Sequence, residues 1–473
     1  MTVHNTLPDT VANTIAKLSA VDMVAAFASR TLSPVEVYDA VEELIGEVEP
    51  VINAFYVRDQ IAARSEAEAS ATRWVRGEPL GPIDGVPVTL KENIARKGVP
   101  MPAGTACSEA LPALADAPIT ARVKESGAVV LGSTTMPDWG MLSSGVSSLH
   151  GITRSPWNPA WTTGGSSAGA GAAAAAGFGP LHVGTDIGGS IRLPGTWLGL
   201  VAHKPSYGRV PLDVPYFGRC AGPITRTVGD AVLFMQVLSQ PDVRDWSSLP
   251  QANIDWSDLD LDVRGLRVAV HVDAGCGMAV DPTVAEAVEG AARLFANAGA
   301  VVEEITPFIT PTMLEDLDLF WRVRSWNDFV QLSPQRQSDV LPFIVDWCSG
   351  GAKVSGARTI ACYQSTMKLR AATVAATSAY DLVLSPVAPT VAFPAEWPMP
   401  FGNEDGGMAH IGFCAPYSMS GQPACSINCG FTDDHKTIGL QIAGRRFDDL
   451  GVLRACAWYE QARPASATPV WPF

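Results

Sequence analysis

Three short stretches carry more glycine and hydroxyl groups than a folded core requires: Gly85-Val86-Pro87-Val88-Thr89-Leu90-Lys91, Thr162-Thr163-Gly164-Gly165-Ser166-Ser167-Ala168-Gly169 and Gly184-Thr185-Asp186-Ile187-Gly188-Gly189-Ser190-Ile191-Arg192. Singly, each has a plain explanation, because a lysine ending a strand is usually solvated and Gly-Gly-Ser usually turns the chain. Together they suit acyl transfer. A serine after two glycines lets an attacked carbonyl approach consecutive backbone N–H groups with no Cβ in the way, which is how an oxyanion hole is built. Ser190 follows Gly188 and Gly189, so Ile187, Gly188, Gly189 and Ser190 are the candidate donors.

A serine hydroxyl is a poor nucleophile until a base takes its proton. The chain has only seven histidines, and His182, the nearest to Ser190, lies eight positions before it in an apolar context with no evident acidic partner. A histidine-based triad stays open on this count alone. Lys91 is the other candidate: it closes a Val86-Val88-Leu90 alternation that predicts a strand with the lysine at its carboxyl end. Burial disfavours the ammonium form and lowers a lysine pKa toward neutrality, where the amine can act as a base. Ser166 can bridge the two if its hydroxyl takes the proton of Ser190 and passes its own to Lys91.

The elements that must hold these residues alternate along the chain. Residues 1–75 read as a helical layer, with capping boxes at Ser19-Ala20-Val21-Asp22 and Ser33-Pro34-Val35-Glu36. From Gly81 onward, short apolar strands punctuated by Gly and Pro alternate with helical stretches. Val129–Leu131, Leu266–Val270, Val301–Ile305, Leu382–Leu384 and Ile438–Ile442 read as strands, and Asp281-Pro282 and Gly299 bound a helix. Ala172–Ala176 reads as a closely packed small-residue helix. The pattern is α/β: a second region over residues 76–473 with a helical insertion at about 206–380.

Composition removes several function classes. An apolar fraction of 47% with 17% charged residues describes a compact globular chain rather than a disordered one. The formal charge of −15, with no basic run, argues against nucleic acid and anionic membrane as partners. Neither a secretory leader nor a membrane-length apolar segment is evident, so a cytoplasmic protein is expected. Nine scattered cysteines read as small buried apolar residues, not as disulfides or a metal site.

The run from Gly164 through Ser190, the Lys91 segment, the Trp157-Asn158-Pro159 lead-in and the trailing His203-Lys204-Pro205-Ser206-Tyr207-Gly208-Arg209 together resemble the amidase signature family. Ser385-Pro386-Val387-Ala388-Pro389 and Gly439-Leu440-Gln441-Ile442-Ala443-Gly444 extend the similarity toward the C-terminus. The resemblance implies a large mixed β-sheet core covered by helices on both faces. It also implies a triad of Lys91, Ser166 held in a cis peptide and nucleophilic Ser190, with the serines 24 positions apart and Lys91 a further 75 before Ser166. One departure is Ala168, where the family usually has glycine.

The implied reaction is hydrolysis of a small-molecule carboxylic amide through an acyl-enzyme, with no metal or organic cofactor and with a homodimer left open. In relatives the stretch at Met141 and Ser143 borders the acyl pocket, so these two are expected near substrate. Aromatic residues between Phe320 and Trp347, with Trp397 and Phe401 later, read mostly as core; any that line the pocket favour an aryl or apolar acyl group over a dicarboxylate-derived one. The alternatives are the glutaminase subunit of a transamidating complex that serves aminoacylated transfer RNA, and a catalytically inactive binding relative.

Overall fold

The computed structural model describes residues 11–473 of the chain. Its centre is a mixed sheet of eleven strands in the spatial order Phe55–Arg58, Val129–Thr134, Pro87–Lys91, Leu181–Asp186, Cys220–Thr225, Val201–Lys204, Ala424–Phe431, Thr437–Gly444, Leu382–Pro386, Arg267–Val270 and Val301–Glu304. Pro87–Lys91 runs parallel to both its neighbours, whereas the strands from Leu181–Asp186 across to Leu382–Pro386 pair antiparallel. All five strands read from the sequence are present, each within a few residues of its predicted ends.

Both faces of the sheet are buried, and the period of two along a strand shows it. Leu382, Leu384, Cys425, Ile427, Leu440 and Ile442 pack into one apolar cluster, while the intervening Val383, Ala424 and Ala443 pack with Tyr417 into another. Strands buried on both sides lose the apolar-polar alternation of a half-exposed sheet.

The N-terminal helices start where their caps predict. Ser33 and Glu36 form the full reciprocal box ahead of Pro34–Ile52. At Ser19 only half of it forms: the serine accepts the Asp22 N–H, but the shorter Asp22 side chain takes the serine hydroxyl instead of reaching the backbone. Two departures from the sequence reading matter. The segment expected to be wholly helical contains the edge strand Phe55–Arg58, whose Phe-Tyr-Val run favours extended structure and which pairs with Val129–Thr134. And residues 206–380 are not a helical insertion throughout, because Cys220–Thr225 lies in the middle of the sheet between Leu181–Asp186 and Val201–Lys204. The helical part narrows to the elements from Pro311–Val330 to Gly356–Thr377, which pack on one another.

Candidate active site

Lys91 is the last residue of its strand, and its flanking strands bring Thr134 and Thr185 to the same carboxyl-terminal edge. Open α/β sheets place their ligand sites at such edges. Val86, Val88 and Leu90 enter the large apolar core, which turns Lys91 to the opposite face. The lysine is fully buried and surrounded by hydroxyls: Nζ lies 2.7 Å from Ser166 Oγ, 3.1 Å from Ser167 Oγ and 3.2 Å from Thr185 Oγ1. Burial, reinforced by the positive charge of Arg219, pushes its pKa well below the usual lysine value, against weaker opposing pulls from Glu92 and Asp186.

Ser166 follows a cis Gly165–Ser166 peptide, and no side chain fits at Gly165: a Cβ there would stand 2.5 Å from the Ser144 carbonyl oxygen. Ala168 opens the helix Ala168–Ala175 fully buried, so the residue that departs from the family pattern is accommodated within the packing. The next residue shows how tight that packing is, since a Cβ on Gly169 would come within 2.2 Å of the Ala54 carbonyl. A backbone bond of 3.2 Å from Ser167 N–H to the Ser190 carbonyl ties this loop to the turn that carries Ser190.

That turn is organised by Asp186. Its carboxylate accepts the N–H groups of Gly189 at 2.8 Å and Ile191 at 3.2 Å, and pairs with Arg192 through Nε at 2.9 Å and a second guanidinium nitrogen at 2.8 Å. Desolvation alone would raise the Asp186 pKa, but the charge and hydrogen bonds of Arg192 outweigh it and hold it down at about 2. Gly189 has φ +118°, and a Cβ on it would stand 2.8 Å from Leu193 Cγ, so glycine is required. Of the four donors expected from the sequence, the Gly189 N–H is the one directed at the Asp186 carboxylate. Among the described residues no acceptor lies against the amides of Ile187, Gly188 and Ser190.

Ser190 is half-buried and faces two cavities. The narrower, about 30 Å³, is lined by Ile187, Gly188, Met141, Ser143, Trp321 and Ile411 among others. The wider, about 530 Å³, is open to Ser166, Met141, Thr185, Tyr216, Arg219 and Arg324. Met141 therefore borders both. Ser143 is buried and shares a 2.6 Å hydrogen bond with His410 Nε2, and burial drives the His410 pKa down to about 3. Of the late aromatics, only Trp321 reaches the wall beside Ser190; Trp347 instead donates to Asp318 and Trp326 stacks on Phe329.

His182 plays no part in this arrangement. It is fully buried, bonded to Thr89 Oγ1 at 2.8 Å and the Gly179 carbonyl at 3.1 Å, with a pKa that burial lowers to about 3. The residues that the sequence reading left without a role are Ser167, Thr185, Asp186 and Arg192. All four stand within the quoted segments, so the signal was their place in the motif rather than any pattern of their own. Among the described residues no three His, Cys, Asp or Glu side chains converge to hold a metal ion, and no helix is long and apolar enough to cross a membrane.

Residues 36–453 match the Amidase family. The acylamidase of Rhodococcus erythropolis is 32% identical over 457 residues, covering 94% of this chain and 96% of that protein. A component of the glutamyl-tRNA(Gln) amidotransferase of Alkaliphilus metalliredigens is 29% identical over 492 residues, covering 94% of this chain and 96% of that protein. Among solved structures, a bacterial aryl acylamidase of the amidase signature enzymes superposes with a TM-score of 0.86 at 28% identity, over 94% of this chain and 96% of that one. With the family matched along most of its length and the same sheet at its centre, this chain belongs to the amidase signature family and is an amide-hydrolysing enzyme.

Proposed function

We propose that the chain is a free-standing amidase that cleaves its substrate through an acyl-enzyme on Ser190, with Ser166 and Lys91 relaying the proton. The observation that carries this reading is the 2.7 Å contact between the fully buried Lys91 Nζ and Ser166 Oγ, on a loop bonded directly to the Ser190 backbone. A neutral Lys91 accepts the Ser166 hydroxyl proton as Ser166 accepts that of Ser190. The Ser190 Oγ–carbon bond forms, and the carbonyl oxygen becomes an oxyanion held by the amides of Ile187, Gly188 and Ser190. The proton returns through Ser166 to the departing nitrogen as the C–N bond breaks. Water then adds to the acyl-enzyme by the same relay, releasing the carboxylic acid and restoring Ser190.

The two cavities divide the substrate. Ser166, which protonates the leaving nitrogen, opens on the wide cleft, so the amine lies there and the acyl group lies in the narrow pocket against Gly188 and Trp321. The test is incubation of the isolated chain with simple anilides, followed by fluorophosphonate labelling and peptide mass spectrometry. Turnover without any partner and an adduct on Ser190 are expected; an adduct on another residue overturns the assignment.

The likeness to an amidotransferase component supports a second reading, glutamine hydrolysis feeding ammonia to a partner protein. Under that reading the isolated chain leaves anilides intact and releases ammonia from glutamine.

A further inference from the structure

The wide cleft beside Ser190 contains two guanidinium groups that no carboxylate of the described residues answers. Arg219 immediately precedes the strand Cys220–Thr225, and the antiparallel pairing of Cys220 with Asp186 sets Arg219 across from the turn that carries Ser190. Arg324 lies three residues after Trp321 on the helix Pro311–Val330, so the two share a face: Trp321 closes the narrow pocket and Arg324 borders both cavities.

In a chain with 48 acidic and 33 basic side chains, carboxylates are in excess, yet among the described residues neither arginine is ion-paired. Arg324 donates to Met141 Sδ at 3.1 Å and lies over the Tyr216 ring, 5.3 Å from its centroid. These contacts fix its direction without neutralising it. The Arg219 guanidinium makes no hydrogen bond to the described residues and faces the cleft. Desolvation and the like charge of Arg324 both depress its pKa, so two cations share one partly dry space. The nearby acids do not answer them: Asp213 and Asp328 are exposed on the cleft wall, and Asp186 is occupied by Arg192 and the backbone of its turn. Lys91, behind Ser166, is held toward its neutral form.

We infer that the amine half of the substrate carries a carboxylate, held by Arg219 and Arg324, so that the enzyme hydrolyses N-acylated amino acids or aminocarboxylates. This rests on the proposed reading of the site, which puts the leaving nitrogen in the wide cleft. It adds a second determinant to the apolar acyl group expected from the aromatic content: the narrow pocket is lined mainly by Trp321 and aliphatic side chains, with Ser143 and the edge of Arg324, whereas the cleft holds both guanidinium groups. Guanidinium matches a carboxylate with two parallel N–H donors, and its desolvation cost is met before substrate arrives.

The test compares three acetanilide-type substrates on the full chain. 4-Acetamidophenylacetate carries the carboxylate on the amine side, insulated from the amide by a methylene; 4-acetamidotoluene is its neutral match; succinanilate carries the carboxylate on the acyl side. The wild-type kcat/KM is expected to favour 4-acetamidophenylacetate over 4-acetamidotoluene by about tenfold or more, mainly through KM, as one charge-assisted hydrogen bond supplies. Arg219→Gln and Arg324→Gln should each bring that ratio toward one. A wild-type ratio at or below one, or a preference for succinanilate, overturns the inference without needing any variant to fold. Neutral anilide turnover with a Ser190 adduct but no carboxylate preference leaves the proposed mechanism standing and removes only the substrate assignment. No turnover and no adduct removes both.

Discussion

Lys91 and Lys204 each end a strand of the same sheet, each is fully buried, and burial lowers the pKa of both, yet their surroundings differ in kind. Lys91 meets three hydroxyls. Lys204 donates to two backbone carbonyls, Pro205 O at 2.9 Å and Gln422 O at 2.6 Å. A carbonyl oxygen only accepts, so Lys204 can do nothing but donate, and it joins the loop after its own strand to the one before Ala424–Phe431. A hydroxyl donates or accepts, so the bond between Lys91 and Ser166 can reverse its direction when the amine is neutral. Burial prepares a lysine to be a base, but the neighbour's ability to give up a proton decides whether it acts as one.

The strongest way to break the comparison is to remove the lysines. Lys91→Ala should cost at least the ~10²–10⁴-fold that general base catalysis contributes, and more if the three residues act as a unit. Ser190→Ala should lose as much and abolish the acyl-enzyme. Lys91→Arg should not rescue the rate, because guanidinium stays protonated. Steady-state kinetics with circular dichroism controls check this, and a Lys91→Ala protein with near-normal turnover overturns the relay.

A second measurement uses pH. The folded pKa of Lys91 is depressed, so the neutral amine that the proposed relay requires becomes populated as pH rises through that value, and kcat/KM should climb on the acid side and then level. His182 cannot supply this limb near neutrality, since burial holds its pKa at about 3. A flat profile between acid and neutral pH, in a protein shown to stay folded, contradicts a titrating lysine base.

The contrasting expectation belongs to Lys204. Lys204→Met leaves two buried carbonyls without a donor, each costing about 1–3 kcal/mol, so the thermal midpoint should fall. The acid limb of kcat/KM should keep its position, because Lys204 contacts none of the three residues of the proposed relay. A Lys204→Met protein that lost as much kcat/KM as Lys91→Ala, or whose acid limb moved, would erase the distinction between the two lysines.

What the sequence made legible follows from which interactions are local. The caps at Ser33 and Asp281 and the strand ending in Lys91 depend on residues a few positions apart, and they read correctly. The edge strand Phe55–Arg58 did not, because a four-residue extended run between two helices is too short to stand out before its partner strand, 74 to 79 positions on, pairs with it. Cys220–Thr225 was missed as well: its Gly-Pro content hides a strand held by neighbours on both sides. In the site, Lys91, Ser166 and Ser190 were read from local motifs, with the family resemblance joining them. The commitment of the Gly189 amide to Asp186 was not legible, since it depends on how a three-residue turn closes. Arg219 and Arg324 lie far apart in sequence, and only the fold puts them in one cleft.

The smallest expected effect concerns Met141, which borders both cavities and so bears on how sharply they divide the substrate. Its unbranched side chain is buried, and its sulfur accepts a hydrogen bond from Arg324. Met141→Ala should enlarge the passage beside Ser190 and change the ratio of kcat/KM for a butyryl over an acetyl anilide by about threefold to tenfold, within what one or two pocket methylenes contribute. Met141→Leu keeps the volume and removes the sulfur, so it should preserve that ratio while loosening Arg324 and weakening any preference for a carboxylate on the amine. The two substitutions thus separate the wall from the tether. If Met141→Ala left both the acyl ratio and the carboxylate preference unchanged, Met141 would be a packing residue of the loop and neither cavity would be shaped by it.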